Sequence, residues 1–458
     1  MGRPVVALLD PHNPYAASLA RVALTHFDLG VICLWSDEDR WRRAETSERM
    51  RPVRPVAHYR YVPGQVAALT RTLMRRHDVV AVLPPHESVV LDAAVLAESL
   101  DVAWCDPQIV RRFRDKGSLK QALRSVAGGP RVNASVVVRD LVDVRRAQAE
   151  GSFVRFVLKP NDGMNNNRIG FFGPDSTDDE IRRHLALCER GPTLMEEFLD
   201  GQEFCVNGQV GVDGRVTVHA VYRTRHVAAN GRPQLAARFD LVSSTDPDFD
   251  LTASYARCVV AATGLTRSPF HMELMVDASG PCLIEVAARH GGVGMAYDIA
   301  DAHGGALDAF VVALAAYLGQ PAPRAQKPDW SAYDSRGLRI VCAINERSSR
   351  IGSVSGVAQA EALPEFLRWV SRPTLGALVT PTVDLPSSPW ILTLAGDSPD
   401  RLEAAEATAR SLIRFNRRPV DSFQVGLRAH TVTMRAARRV SLLPAVTRSR
   451  VTSGSAVH

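Results

Sequence analysis

Two glutamates and an arginine near the middle of the chain have a spacing that suits metal-assisted phosphate chemistry. Glu273 ends the run Phe270-His271-Met272-Glu273, and twelve residues later Glu285 opens Glu285-Val286-Ala287-Ala288-Arg289-His290-Gly291-Gly292. The stretch between them, Leu274 to Leu283, reads as strand, tight turn and strand. A hairpin lays its strands side by side, so the two carboxylates can project toward one point. Converging carboxylates suit a hard cation that also carries phosphate oxygens, and Arg289 can answer the remaining negative charge. Gly291 and Gly292 let the backbone approach a ligand and offer N–H groups to an anion.

Further groups of matching chemistry stand upstream. Lys116 lies in Arg114-Asp115-Lys116, and Lys159 closes the apolar run Phe156-Val157-Leu158-Lys159-Pro160. An acidic stretch follows, Leu194-Met195-Glu196-Glu197-Phe198-Leu199-Asp200-Gly201-Gln202-Glu203-Phe204. Lysine is a compact charge that offsets polyphosphate, and a carboxylate accepts from an amine or a diol. In this order and spacing the set resembles the ATP-grasp superfamily, and within it the carboxylate-amine ligases, including the amino-acid ligases that make dipeptides. The resemblance runs over residues 1 to 415 and is clearest from 113 to 320.

The resemblance implies an α/β protein with an ATP-grasp fold. An N-terminal open parallel α/β domain (1–112) would precede a two-part ATP-grasp domain (113–325) hinged near 194–203. A small C-terminal α+β unit (330–416) and a basic tail (417–458) would follow. It also implies roles. Lys116 and Lys159 would bind nucleotide phosphates. Glu196 and the backbone from Glu197 to Leu199 would take adenine, and Glu203 the ribose. Glu273 and Glu285 would hold the metal, with Arg289 facing the transferring phosphoryl group or the substrate carboxylate. The implied cofactors are ATP and Mg2+, two ions, with Mn2+ as a substitute. The implied reaction joins a carboxylate to an amine, both expected to be amino acids, through an acyl phosphate, with release of ADP and phosphate. Rival readings are a primary-metabolism ligase of the purine or carboxylase branch, and an ATP-binding scaffold that has lost turnover. Two features depart from the family pattern. Asparagines replace the usual glycines and serines in the loop Asn161 to Arg168, and Ala287 stands where a metal-binding Asn is frequent.

The elements that must position these groups follow from composition and periodicity. A chain of 458 residues, 46% hydrophobic and 23% charged, is a multi-domain globular protein. Its formal charge of +6 is misleading until located: residues 417–458 hold eight Arg against one Asp, so the body is near −1. That argues against a nucleic-acid surface outside the tail. Seven scattered cysteines without a CxxC read as buried free thiols in a reducing cytoplasm. No apolar run reaches membrane-spanning length. A homodimer is expected from similar proteins.

Residues 4 to 110 alternate strands (Pro4 to Leu9, Leu29 to Trp35, Val79 to Leu83) with helices (Ala16 to His26, Gly64 to Arg76), a parallel-sheet rhythm. Ligands of such sheets lie beyond the strand carboxyl ends, here Asp10 to Asn13 and Pro84 to Glu87. No GxGxxG follows the first strand, which argues against a nicotinamide dinucleotide site. Lys116 to Val126 and residues 176 to 189 read as helices, and Met195 to Val286 as mostly strand. Further on, strands are expected at Leu338 to Ile344, Leu375 to Thr382 and Trp390 to Ala395, with helices at Leu307 to Leu318, Ala358 to Val370 and Asp400 to Arg414. His12, His86, Glu87 and Tyr222 to His226 are candidate substrate contacts, with Arg223 or Arg225 suited to a carboxylate.

Overall fold

A computed structural model describes residues 3–37, 54–151, 153–162, 168–188 and 192–418. The first unit is a parallel four-stranded sheet, β1 (Val5–Leu9), β2 (Gly30–Trp35), β3 (Ala57–Arg60) and β4 (Val79–Leu83), in the order β3-β2-β1-β4. β1 and β2 are buried along their whole length, which explains their unbroken apolar sequences. The helix Pro14–His26 starts where Asn13 caps it by accepting from Ala16 N, with proline in its first turn. β3 escaped the sequence reading because Ala-His-Tyr-Arg is a half-exposed edge strand with little apolar signal.

The second unit is an antiparallel sheet of β5 (Ser135–Val138), β6 (Phe156–Pro160), β7 (Gly170–Phe172) and β8 (Thr193–Glu197), in the order β5-β8-β6-β7. The helices Leu141–Ala149 and Asp178–Cys188 pack on it through Val144, Ile181 and Leu185, against Phe156, Leu158 and Met195. Chain enters this unit beside Val132, which bridges to Leu283, and leaves it through residues 198–201. These two crossings make it a lid on the rest of the molecule.

The third layer is an eight-stranded antiparallel sheet. It comprises β9 (Gln202–Val210), β10 (Val216–Ala229), β11 (Arg232–Leu241), β12 (Pro269–Asp277), β13 (Gly280–Ala287) and β14 (Gly337–Cys342). β16 (Phe366–Ser371) and β18 (Ile391–Gly396) complete it, in the order β13-β12-β9-β10-β11-β14-β18-β16. β11 pairs with β14, so the sheet runs on through the segment expected to form a small C-terminal unit. A three-stranded sheet, β17 (Leu378–Val379), β15 (Ser349–Ser355) and β19 (Arg414–Arg418), flanks it. Among the described residues no helix is long and apolar enough to cross a membrane. All seven cysteines are unpaired, and Cys258 alone is exposed.

Three sequence expectations are corrected. The helix expected at Ala358 to Val370 ends at Glu361, because Pro364 cannot continue it, and Phe366–Ser371 forms β16 instead. The strand expected at Leu375 to Thr382 shrinks to Leu378–Val379 beside a turn at Gly376 (φ +77°). The mostly-strand region contains a helix, Pro247–Thr263, with an Asp246 cap, proline in its first turn and Gly264 in the left-handed conformation at its end. Those stop and start residues were visible in the sequence, but its Val and Thr content masked them.

Candidate active site

The hairpin β12–β13 turns at Gly280 (φ +96°), and its register sets Glu273 directly opposite Glu285. On the other side of β12, Cys205 of β9 is the partner of Glu273. Side chains alternate faces along a strand, so His271 shares the face of Glu273 and lies opposite Ala287. All five residues line one cavity.

Two lysines on one helix face approach this hairpin. The helix Lys116–Arg124 is capped by Asp115, which accepts from Ser118 N. Asn161 ties that cap to the end of β6: its side chain donates to Asp115 and accepts from Gly117 N. Lys116 thereby reaches Glu285 at 3.3 Å. One turn later Lys120 meets Glu196 Oε1 at 2.6 Å, while Lys159 meets Glu196 Oε2 at 2.7 Å. Burial opposes the charge of Glu196, but Lys120 and Lys159 overcome it and hold the carboxyl down at about 2. Burial, partly offset by Glu196, lowers Lys120 to about 8. Glu196 is thus engaged through both oxygens by lysines, a role the adenine assignment did not include. Lys120 was missed from the sequence; its signal was the four-residue spacing from Lys116, which puts both on one helix face.

The hinge bounds a second, adjoining cavity. Val157, Ile169, Phe171, Leu199, Met275 and Ile284 supply apolar walls, and Lys159, Glu196 and Glu203 supply charge. The N–H of Glu197 donates to Ala134 O at 2.9 Å and that of Phe198 to Arg155 O at 3.0 Å. Asn133 donates to the Glu197 carbonyl at 3.0 Å. Glu203 pairs with His226 at 3.2 Å, where burial opposes and the carboxylate favours the imidazolium, which wins. Residues 163–167 of the asparagine-rich loop, and the tail beyond 418, lie outside the described residues.

Glu273 lines both cavities and so joins them. The other cavity takes His12, His86 and Glu87 from beyond the carboxyl ends of β1 and β4, where the sequence placed candidate contacts. The rings of His12 and His86 are 4.4 Å apart. Glu87 receives Arg289 Nε at 2.6 Å and Arg114 Nη1 at 2.9 Å. Burial alone would raise Glu87, yet the two guanidinium charges hold it below its usual range. Arg289 also donates to His290 O at 2.8 Å, so its fork is aimed by two partners. Arg223 lines neither of these two cavities and pairs with Asp246 and Asp248 at 3.1 and 2.7 Å.

Residues 178–297 match the sequence profile of the ATP-grasp domain. The crystal structure of L-amino acid ligase from Bacillus licheniformis superposes with a TM-score of 0.72 at 16% identity, covering 92% of this chain and all of that one. Segment 178–297 carries an ATP-grasp domain match, and the chain as a whole has the fold of these proteins. Phosphoribosylglycinamide synthetase from Anaerococcus prevotii shares this fold at a TM-score of 0.65 and 11% identity, covering 91% of this chain and 100% of its own. In sequence, the chain is 27% identical over 223 residues to dapdiamide A synthase of Enterobacter agglomerans. That match covers 48% of this chain and 51% of the relative, so the chain spans about half the length of the curated relative it matches.

Proposed function

We propose that this protein is an ATP-dependent carboxylate-amine ligase that joins two amino acids, or an amino acid and an amine, through an acyl phosphate. The carrying observation is the position of Glu273 and Glu285, paired across β12–β13 where the two cavities meet. In this reading the hinge cavity takes the nucleotide. Its apolar walls fit adenine and the Glu203 carboxylate fits a ribose diol. Lys159 and Lys120 extend toward the phosphates, and Lys116 guards Glu285.

The donor set at the junction fits Mg2+: two carboxylates supply hard oxygen ligands, and the remaining positions fall to phosphate and water. When bound, the metal would neutralise charge on the transferring phosphoryl group. The protein groups do the rest. A substrate carboxylate held near Arg289 attacks the γ-phosphorus, ADP departs, and an acyl phosphate results. An amine then attacks the carbonyl carbon, phosphate leaves, and the amine proton passes to solvent. Arg289 lies where it can steady the oxyanion of that second step. The lid, joined to the rest by chain crossings at residues 131–134 and 198–201, would exclude water that otherwise hydrolyses the acyl phosphate.

The test is phosphate release with ATP and Mg2+ across single and paired amino acids, with mass spectrometry of the positive wells. Phosphate that requires a particular pair, with a product lighter than their sum by one water, supports the reading. Silence in every well, with ATP binding confirmed by calorimetry, would favour the scaffold alternative. Glu285→Ala is expected to abolish Mg2+-dependent turnover with the circular dichroism spectrum retained. Arg289→Ala should lower turnover more than ATP affinity; an equal loss of both would make it a nucleotide anchor.

A further inference from the structure

Cys205, His271 and Glu273 place a sulfur, a nitrogen and an oxygen donor within 4.8 Å of one another. The sheet builds this cluster. Cys205 on β9 is the cross-strand partner of Glu273 on β12, and His271 precedes Glu273 by two residues on the same face. The imidazole is oriented by a partner behind it: Asn207 offers its side-chain oxygen to His271 Nδ1 at 2.9 Å, while its amide donates toward Met295 Sδ at 3.6 Å. On the other side of the ring Nε2 faces Glu273 Oε1, 3.5 Å away. Gly291 makes the arrangement sterically feasible, since a Cβ there would stand 2.3 Å from Asn207 Oδ1 and 2.9 Å from His271 Nδ1. Cys205 and His271 are almost fully buried, yet all three donors line the substrate-side cavity, so an ion has a route in.

We propose that these three residues bind a thiophilic divalent cation of the Zn2+ class, and that its occupation withdraws Glu273 from the Glu273–Glu285 pair. Thiolate and imidazole donors select Zn2+ or Co2+ over Mg2+, which demands oxygen ligands. Three protein ligands leave the fourth tetrahedral position to water or substrate. Binding exchanges the thiol proton for the metal, and the proton leaves to solvent. Glu273 turned toward this ion is drawn away from Glu285, so the site is an inhibitory one. That consequence rests on the ligase reading; the binding does not.

The experiment separates the two. Nucleotide-free, full-length protein is titrated with Co2+ and followed by absorption. A thiolate-to-cobalt charge-transfer band that saturates at a single equivalent is expected, and Zn2+ should erase it. Cys205→Ser should lose the band with its circular dichroism unchanged, whereas Cys258→Ser, at the exposed cysteine, should keep it. No band in the native protein, or an equal band in Cys205→Ser, overturns the site. In turnover assays with Mg2+-ATP each variant is compared with its own Zn2+-free rate, and Cys205→Ser should need about tenfold or more Zn2+ for half-inhibition. An unchanged inhibition constant, with the band lost, overturns the coupling to Glu273 while leaving the binding site in place.

Discussion

Glu196 is the residue whose chemistry depends most on its surroundings. Its carboxylate is buried between two buried lysines, and each oxygen serves one of them. Glu196→Gln would leave two ammonium groups close together without a counter-charge. Breaking a buried ion pair in this way costs about 3–5 kcal/mol. Urea unfolding at neutral pH should show that loss, and ATP should restore part of it, since phosphates would supply the missing negative charge. An unchanged midpoint would mean that the lysines are already neutral. The same residue sets an acid limit. Its carboxyl is depressed in the folded state, from 4.5 to about 2. Its contribution is therefore complete above about 4.5 and is lost as pH falls toward 2. The pH profile of stability in Glu196→Gln should be flatter than that of the native protein across this window.

Elements turn these residues into a site through backbone contact as much as through side chains. The hinge is the clearest case. Gly201 lies so close to β12 that a Cβ there would stand 2.2 Å from Val276 O. Because that obstacle is backbone, Gly201→Ala must displace the hinge rather than a side chain. It should weaken ATP binding by about tenfold, equivalent to ~1.4 kcal/mol, measured by calorimetry. Retained affinity would show that the hinge can move without disturbing the nucleotide cavity. The hairpin β12–β13 was legible for a simple reason: strand alternation and a Gly280 turn leave one register in which two glutamates meet. β16 was not, since Ala358 to Val370 has helical spacing until Pro364 is weighed against it.

At the scale of the whole molecule, Glu87 connects units that are distant in sequence. It extends from beyond β4 of the parallel sheet to Arg289 beyond β13 and to Arg114 before the lid. The N-terminal unit therefore aims the proposed catalytic arginine. Glu87→Gln should lower kcat by about tenfold or more while KM for ATP changes little, since a weakened charge pair releases Arg289 but leaves the hinge cavity untouched. Steady-state kinetics against both substrates would decide. A rise in KM for ATP alone would relocate Arg289 to the nucleotide. A comparable link, the two-pronged Arg131–Asp277 bridge at 2.8 Å, ties the lid entrance to the β12–β13 turn.

What the amino-acid sequence determined by itself is local and periodic: the parallel strands of the first unit, the cross-strand glutamates, Lys159 closing β6, and the order of motifs that identifies an ATP-grasp fold. Those features depend on neighbours a few residues away, and alternation or capping makes them readable. The tertiary structure alone decided which charges meet. Lys120 and Lys159 are 39 positions apart and share Glu196; Glu87 and Arg289 are 202 apart; Cys205 and His271 come together across two strands. Ion pairs and ligand clusters act through space over a few ångströms, and no spacing rule in a sequence reports which distant residues the fold will bring within that range.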